Sequence, residues 1–490
     1  MKKIIIYLFS VCLLLPSCGK NFLQLYPNES VDANAVFSSV DGAWGAINGI
    51  HRSMYNQYYD VSCGGVPGLC LHTDIMADDL ILSTRGRGVH VNSYQWMAHN
   101  LETSTICFFP WRMIYQIISN ANAIINNIDK ISGDPKELAA IKGQAQVYRA
   151  WGYFQLVQLY GKRYEIGKNN SQPGIPVYTD VTFSGKARSS VEAVYVQINQ
   201  DLDDAVSNLK GYVRANKSHL DLSVAKGMKA RVALMQGKWE DAAKFAAEAR
   251  EGYSFMSETQ QMEGYCDYTN PEYMWGSHVQ PDQTLYYYSY YSYMAVNFAT
   301  TDVICIPKEL YDHISDTDVR KKFWYPTAGE GGPKPAEMSE KVIPTNYMNS
   351  KFKAAGSGDS RGDFPHMRIA EMYLIEAEAY VRDGSDGLAQ NALYALVNNR
   401  DPEYQKSTKT GQALLDEILV QRRIELWGEG FRWFDLKRLN LPLDRKMGDG
   451  KDGGHDISVC GFSYMDASKP DWTWAIPLKE LESNPLMEKN

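Results

Sequence analysis

The segment Tyr286-Tyr-Tyr-Ser-Tyr-Tyr-Ser-Tyr293 places six tyrosines in eight positions. Side chains alternate along a strand and wind around a helix, so neither geometry hides all six on one face, and some rings must reach solvent or a ligand. Tyr288, Tyr290 and Tyr291 are the candidates from this run. Trp96 lies in Asn92-Ser-Tyr-Gln-Trp-Met-Ala-His99, downstream of the polar Asp78-Asp79 and Arg85-Gly-Arg87. Trp324 follows Asp318-Val-Arg320, and Trp275 sits in Tyr273-Met-Trp-Gly276. Flat rings beside Asn92, Asp79 and Arg320 combine stacking surfaces with hydrogen-bonding groups. That combination suits a ligand whose apolar C–H faces are ringed by hydroxyls.

Groups able to do covalent chemistry are scarcer. A glycosidase needs two carboxyl groups about 5–10 Å apart across a cleft. Asp78 and Asp79 are adjacent and point to opposite sides of an extended chain. Glu425 and Glu429 share a helix face, but they sit among Arg422, Arg423 and Arg432, a pattern that predicts intramolecular ion pairing rather than catalysis. The chain is therefore expected not to be an enzyme. Asp449-Gly-Lys-Asp-Gly-Gly-His-Asp456 lacks the EF-hand order of ligands and reads as a polar turn, with a structural calcium site as the alternative. No other cofactor is expected. The cysteines form no C-x-x-C pair, which argues against zinc and thioredoxin-like chemistry. Cys63 and Cys70 either close a small disulfide loop or stay as buried thiols. Arg361-Gly-Asp363 matches an adhesion tripeptide too short to mean much.

Helices must position these residues. Asp134-Pro135-Lys136-Glu137 sets an N-cap Asp, a Pro at N1 and a Glu at N3 ahead of Leu138, Ile141, Ala145, Tyr148 and Trp151, which predicts one long helix stopping near Gly161. Ser189-Ser190-Val191-Glu192 opens another, with Val194, Tyr195, Ile198, Leu202 and Ala205 as its apolar stripe and Asp201, Asp203 and Asp204 on its wet side. Residues 224–250 read as two small-residue helices meeting at Gly237, a tetratricopeptide-like hairpin in which Ala230, Ala233, Ala242, Ala243, Ala246 and Ala249 let the backbones approach and Trp239 fills the wedge. A second pair spans 366–400 across Asp383-Gly-Ser-Asp-Gly387. Such hairpins bury their faces only by stacking. Residues 60–110 and 252–365 show no sustained periodicity and are rich in Gly, Pro, Ser, Asn and aromatics. The expected fold is mostly α: a helical frame at about 111–250 and 366–440 carrying two large loop insertions, where a binding surface belongs.

The chain starts with Met1-Lys2-Lys3 and an apolar run from Ile4 to Leu15, too short for a ~30 Å hydrocarbon core but suited to a cleavable leader. Ser17-Cys18 then predicts a signal peptide at 1–17, lipidation of Cys18 and a tether at 18–40, with one domain from 41 to 490. The net charge of −8 argues against a nucleic-acid partner, which would require a basic face.

Several motifs together resemble the SusD/RagB outer-membrane lipoproteins of Bacteroidetes. They are Asn21-Phe-Leu-Gln-Leu-Tyr-Pro27, Trp111-Arg-Met-Ile-Tyr-Gln-Ile-Ile-Ser-Asn-Ala-Asn122 and Tyr148-Arg-Ala-Trp-Gly-Tyr-Phe-Gln-Leu-Val-Gln-Leu-Tyr-Gly161. Arg368-Ile-Ala-Glu371 with Glu376-Ala-Glu-Ala379, the run from Gln421 to Arg438, and Trp474-Ala-Ile-Pro-Leu-Lys-Glu-Leu-Glu-Ser-Asn-Pro485 complete the set. The resemblance implies a SusD-like helical domain, lipid-anchored at the outer membrane and facing outward, that captures oligo- or polysaccharide for a SusC-like TonB-dependent transporter. The RagB branch implies peptide instead, and a tetratricopeptide scaffold that only docks proteins is the third reading. The acidic residues that often follow the lipid cysteine in surface-exposed members are absent from Gly19-Lys20-Asn21. No ligand-contact motif carries over into the insertions.

Overall fold

The computed structural model describes residues 36–84, 88–298 and 303–490. The leader, Cys18, the 21–27 motif and Arg85-Gly-Arg87 lie outside the described residues. Helix α1 (Val40–Ser53) is capped by the Ser39 hydroxyl, which accepts the N–H of Gly42. Helix α2 (Gly65–Met76) follows, then α3 (Thr105–Asn127), α4 (Pro135–Tyr160) and α5 (Val191–Asn208). The Asp134 carboxylate takes the N–H of Lys136 at 3.0 Å, and Ser190 takes that of Ala193 at 3.1 Å, so both caps act where the sequence places them. One aspartate differs from expectation. Asp201 is fully buried, gripped through two bonds of 2.9 and 2.5 Å by Arg149 of α4. It faces the neighbouring helix rather than water.

Helices α6 (Leu222–Gln236) and α7 (Trp239–Ala249) form the first hairpin, and α8 (Ile369–Arg382) and α9 (Asp386–Arg400) the second. Gly237 turns the first with φ +71°, a left-handed conformation that favours glycine. Ala230, Ala233, Ala242, Ala243, Ala246 and Ala249 are all buried. Trp239 is half-buried, packed against the core that holds these alanines, and the Arg382 guanidinium lies 5.2 Å above its ring. Successive helices pack on one another from α3 through α8, and α10 (Gly411–Glu425) closes against α8.

The first insertion is more regular than its sequence suggests. Helix α2 is buried on every side except at Cys70, so no apolar stripe marks it and periodicity is uninformative there. Helix α3 begins six residues before Trp111, under a Ser104 cap and through Pro110, a residue that reads as a helix breaker. The second insertion contains mostly short turns and strands. Strands β1 (Ile81–Leu82), β3 (Ile304–Cys305), β4 (Trp324–Tyr325) and β5 (Met348–Asn349) make an antiparallel sheet in the order β1-β3-β5-β4, joining both insertions. Strands β2 (Tyr273–Gly276) and β6 (Pro365–Arg368) pair antiparallel at the base of the second insertion, and β6 runs directly into α8.

A buried charge network sits at that base. Arg368 reaches Glu272 at 2.6 Å, Glu425 at 3.0 Å and Glu429 at 2.7 Å. Arg400 binds Glu272 and Glu425, Arg320 binds Asp318 and Glu425, and Lys351 binds Glu429 at 2.8 Å. Four cations thus face four carboxylates, all with side chains at most 4% exposed. Burial opposes ionisation of Glu425, but Arg400, Arg368 and Arg320 outweigh it and hold the carboxyl well below the usual range. Removing one member strands its partners' charge in the core, which costs about 3–5 kcal/mol. Glu425→Ala is expected to lower stability by that amount, read as a shift of the urea midpoint.

Candidate functional site

The tyrosine run divides sharply. Tyr286, Tyr287 and Tyr288 occupy one 3₁₀ turn and are 57%, 46% and 38% exposed. Tyr290 and Tyr291 belong to the next short helix and are buried, with hydroxyls donating to the carbonyls of Gly428 and Tyr265. Those two candidates are core residues. Their rings fill space under the turn, against Phe352 and Phe364.

The exposed turn is held by its backbone. Ser360 Oγ donates to the Tyr286 carbonyl, Ser289 Oγ returns a bond of 2.9 Å to the Ser360 carbonyl, and Ser292 Oγ donates to the Tyr287 carbonyl at 2.8 Å. Tyr286 has φ +49°. A bulky residue holds that conformation, at about 1–3 kcal/mol, only where its surroundings fix it. The geometry presents aromatic rings without leaving them to find their own position. A 3₁₀ turn has three residues per turn, so the rings fan at intervals of about 120° and form no single flat wall. Tyr287 leans on Phe298, with ring centroids 5.8 Å apart. The cleft beside the turn, bordered by Tyr55, Gln283, Ser289, Ser360 and Arg361, has a volume of only about 30 Å³, room for a water-sized group. A larger ligand must lie across the turn.

The tryptophan candidates are structural. Trp96 is 3% exposed; its indole N–H donates to the Met76 carbonyl at 2.7 Å, and its ring packs edge-on against Trp472 with centroids 4.8 Å apart. Trp275 is enclosed by Tyr148, Trp151 and His366. Trp324 packs edge-on against Trp427 at 4.6 Å. Arg320 belongs to the charge network. Asp79 is buried with Arg423 at 2.7 Å, and its carbonyl accepts the Trp427 indole N–H at 2.6 Å. The structure therefore brings Asp79, Arg320 and Trp324 together around 425–427, as support and not as a ligand surface. Asn92 is exposed on the short helix Val91–Tyr94. Tyr286 and Tyr287, not singled out within the run, are its most accessible members.

Other groups resolve as follows. Ion pairing of Glu425 and Glu429 holds, but with Arg320, Arg368, Arg400 and Lys351; the sequence-local Arg422, Arg423 and Arg432 instead take Asp435, Asp79 and Asp78. Asp449 accepts the N–H groups of Lys451 and Asp452, and Asp452 that of Gly454, so these carboxylates close a polar turn on its own backbone. Arg361 pairs with Asp359, Asp363 takes the N–H of Val279, and a side chain on Gly362 would collide with Tyr291; the tripeptide is a packed turn. Cys63 and Cys70 are free thiols, and burial pushes Cys63 up to about 12, leaving it unreactive at neutral pH.

The fold and the turn define a class: a tetratricopeptide-like helical frame that presents a braced aromatic surface on its insertion. The chain belongs to the SusD family, whose model matches residues 228–490, and a second model described as starch-binding associating with outer membrane matches 77–234. A SusD-like protein of Bacteroides ovatus is 24% identical over 69% of this chain and 66% of its own length. One from Formosa agariphila is 23% identical over 78% and 79%. Among solved structures, a SusD-like carbohydrate binding protein from Bacteroides vulgatus superposes with a TM-score of 0.79 at 24% identity, covering 92% of this chain and 97% of that one. A laminarin binding SusD-like protein gives 0.69 at 20% identity, covering 92% and 99%.

Two predictions follow from the site's surroundings. Trp96→Ala leaves a cavity and is expected to destabilise the protein by about 3–5 kcal/mol in urea unfolding, as a core residue does. Asp74 is buried and accepts the N–H groups of Gly430 and Arg432, and burial pushes it up to about 8. The folded state thus holds a proton that the unfolded chain releases near pH 4. Its stabilising contribution is complete below that pH, is lost by about 1.4 kcal/mol per unit as pH rises towards about 8, and changes no further above that. Asp74→Asn should flatten the decline in urea midpoint between about pH 5 and 8.

Proposed function

We propose that this protein binds oligosaccharide across Tyr286–Tyr288 at the outer membrane, anchored through lipid on Cys18, and passes it to a SusC-like TonB-dependent transporter. The observation that carries the proposal is the braced, solvent-facing tyrosine turn. Aromatic rings stack on the C–H faces of sugars while their hydroxyls exchange hydrogen bonds with the ligand, and a turn fixed before binding loses little conformational entropy on capture. The starch-binding description of the second family model and the laminarin-binding relative support a glycan over a peptide. The carboxylates first considered for catalysis all carry ion pairs, consistent with binding and release of an unaltered ligand. Among the described residues no helix is long and apolar enough to cross a membrane, so attachment is assigned to the lipid.

Replacing Tyr286, Tyr287 and Tyr288 together by Ala is expected to weaken glycan binding at least tenfold in titration calorimetry, with unfolding free energy changed by no more than about 0.5 kcal/mol per site, as for exposed positions. Unchanged glycan affinity would remove the turn as the site. A blank glycan array with retained peptide binding would move the assignment to peptide.

A further inference from the structure

A groove of about 500 Å³ runs along α3, closed on its other sides by residues 178–185 and by the C-terminal helix Leu478–Ser483. It is the size of a small-ligand site. Its α3 wall carries Arg112, Gln116 and Asn120, spaced four residues apart and so stacked along one face at about 6 Å intervals. All three are exposed, and among the described residues none of their side chains has a hydrogen-bond partner. The opposite lip ends in Phe183, whose ring is wholly exposed. The groove's own acids are engaged: Asp180 accepts from Asn126, and Glu480 from Trp111 and Asn484.

Arg112 lines one end of the groove, and Lys479 stands beside that end, over the lining residue Phe108. The Arg112 guanidinium lies 5.9 Å from the Tyr59 ring centroid, and Lys479 Nζ lies 4.6 Å from that of Phe108 and 5.6 Å from that of Tyr59. Tyr59 and Phe108 pack at 5.4 Å. Among the described residues neither cation has a carboxylate within ion-pair distance. Two unpaired cations over a ring pair, continuing into a ladder of amides opposite an exposed phenyl ring, present charge, hydrogen bonding and stacking in sequence.

We propose that this groove is a second saccharide site, separate from the tyrosine turn, and that it takes an acidic oligosaccharide with its carboxylate or sulfate at Arg112 and Lys479. The inference rests on the glycan-binding reading but not on the tyrosine turn. Amides at Gln116 and Asn120 read hydroxyls, Phe183 stacks on a ring face, and the cations select against a neutral chain.

The test uses the chain with Tyr286, Tyr287 and Tyr288 replaced by Ala, so that only the groove is read. Uronic-acid and sulfated tetramers are titrated by calorimetry beside their methyl-esterified and desulfated counterparts. The expected result is retained binding of at least one acidic tetramer, at least fivefold weaker binding of its uncharged counterpart, and at least tenfold loss on adding Asn120→Ala with Phe183→Ala. Arg112→Gln with Lys479→Gln should abolish the preference for charge. No acidic tetramer bound, or affinity indifferent to the groove substitutions, would overturn the site; equal binding of charged and uncharged forms would overturn the acidic assignment. If instead the wild-type chain binds acidic tetramers and the tyrosine substitutions leave every glycan affinity unchanged, the turn fails while the groove stands.

Discussion

Arg368 is the residue on which the arrangement turns. It ends the strand that closes the second insertion, starts the helix that resumes the frame, and holds Glu272, Glu425 and Glu429 at once. Its partners come from both sides of the junction: Glu272 from the insertion, Glu425 and Glu429 from the end of α10 and just beyond. Charges this deep are tolerated only because each is matched and hydrogen-bonded; a set of hydrophobic residues of similar volume could be as stable. What the ion pairs add is geometry. A guanidinium with three carboxylates around it accepts few alternative positions for the segments that carry them.

The same short segment secures the first insertion. Arg423 and Arg432 reach Asp79 and Asp78, and the N–H groups of Gly430 and Arg432 reach Asp74. The run from Gln421 to Arg438 is therefore a clasp between both loop regions and the frame, with Trp427 wedged between Asp79 and Trp324. Burial lifts Asp74, which has no cation beside its carboxyl, whereas at Asp78 the Arg432 partner outweighs burial and holds the carboxyl low. Neighbouring acids on one chain segment thus differ in charge at neutral pH.

How much of this was legible in sequence depended on the range of the signal. Caps at Asp134 and Ser190 and the Gly237 turn are local, involving side chains within four residues, and they read correctly. The small-residue hairpin read correctly because helix approach leaves alanine at a fixed spacing. Trp96, Arg320 and Trp324 are core residues for a common reason: residue type announces stacking or hydrogen bonding, but the partner is supplied from far along the chain, Met76 and Trp472 for one, Glu425 and Trp427 for the others. Burial of aromatics is decided by tertiary packing that no short window contains. The tyrosine run was informative in the opposite way, because its density exceeded what one buried face accepts; the excess emerged at 286–288, while 290 and 291 filled the space beneath. Helix α2 was invisible because a helix buried all round has no polar face to set its period.

The pairing of β2 with β6 has a consequence for how such a chain can vary. Helices α7 and α8 pack as neighbours although 119 residues separate them in sequence, so the insertion leaves and returns through one gate closed by a four-residue ladder. Loop closure depends on length only logarithmically, about 0.6 kcal/mol for each doubling. A lineage could double or halve this segment with little thermodynamic resistance, provided that Glu272 and Arg368 stay at the gate. Ligand preference and frame stability are in that sense separately inheritable, written in different stretches of one polymer.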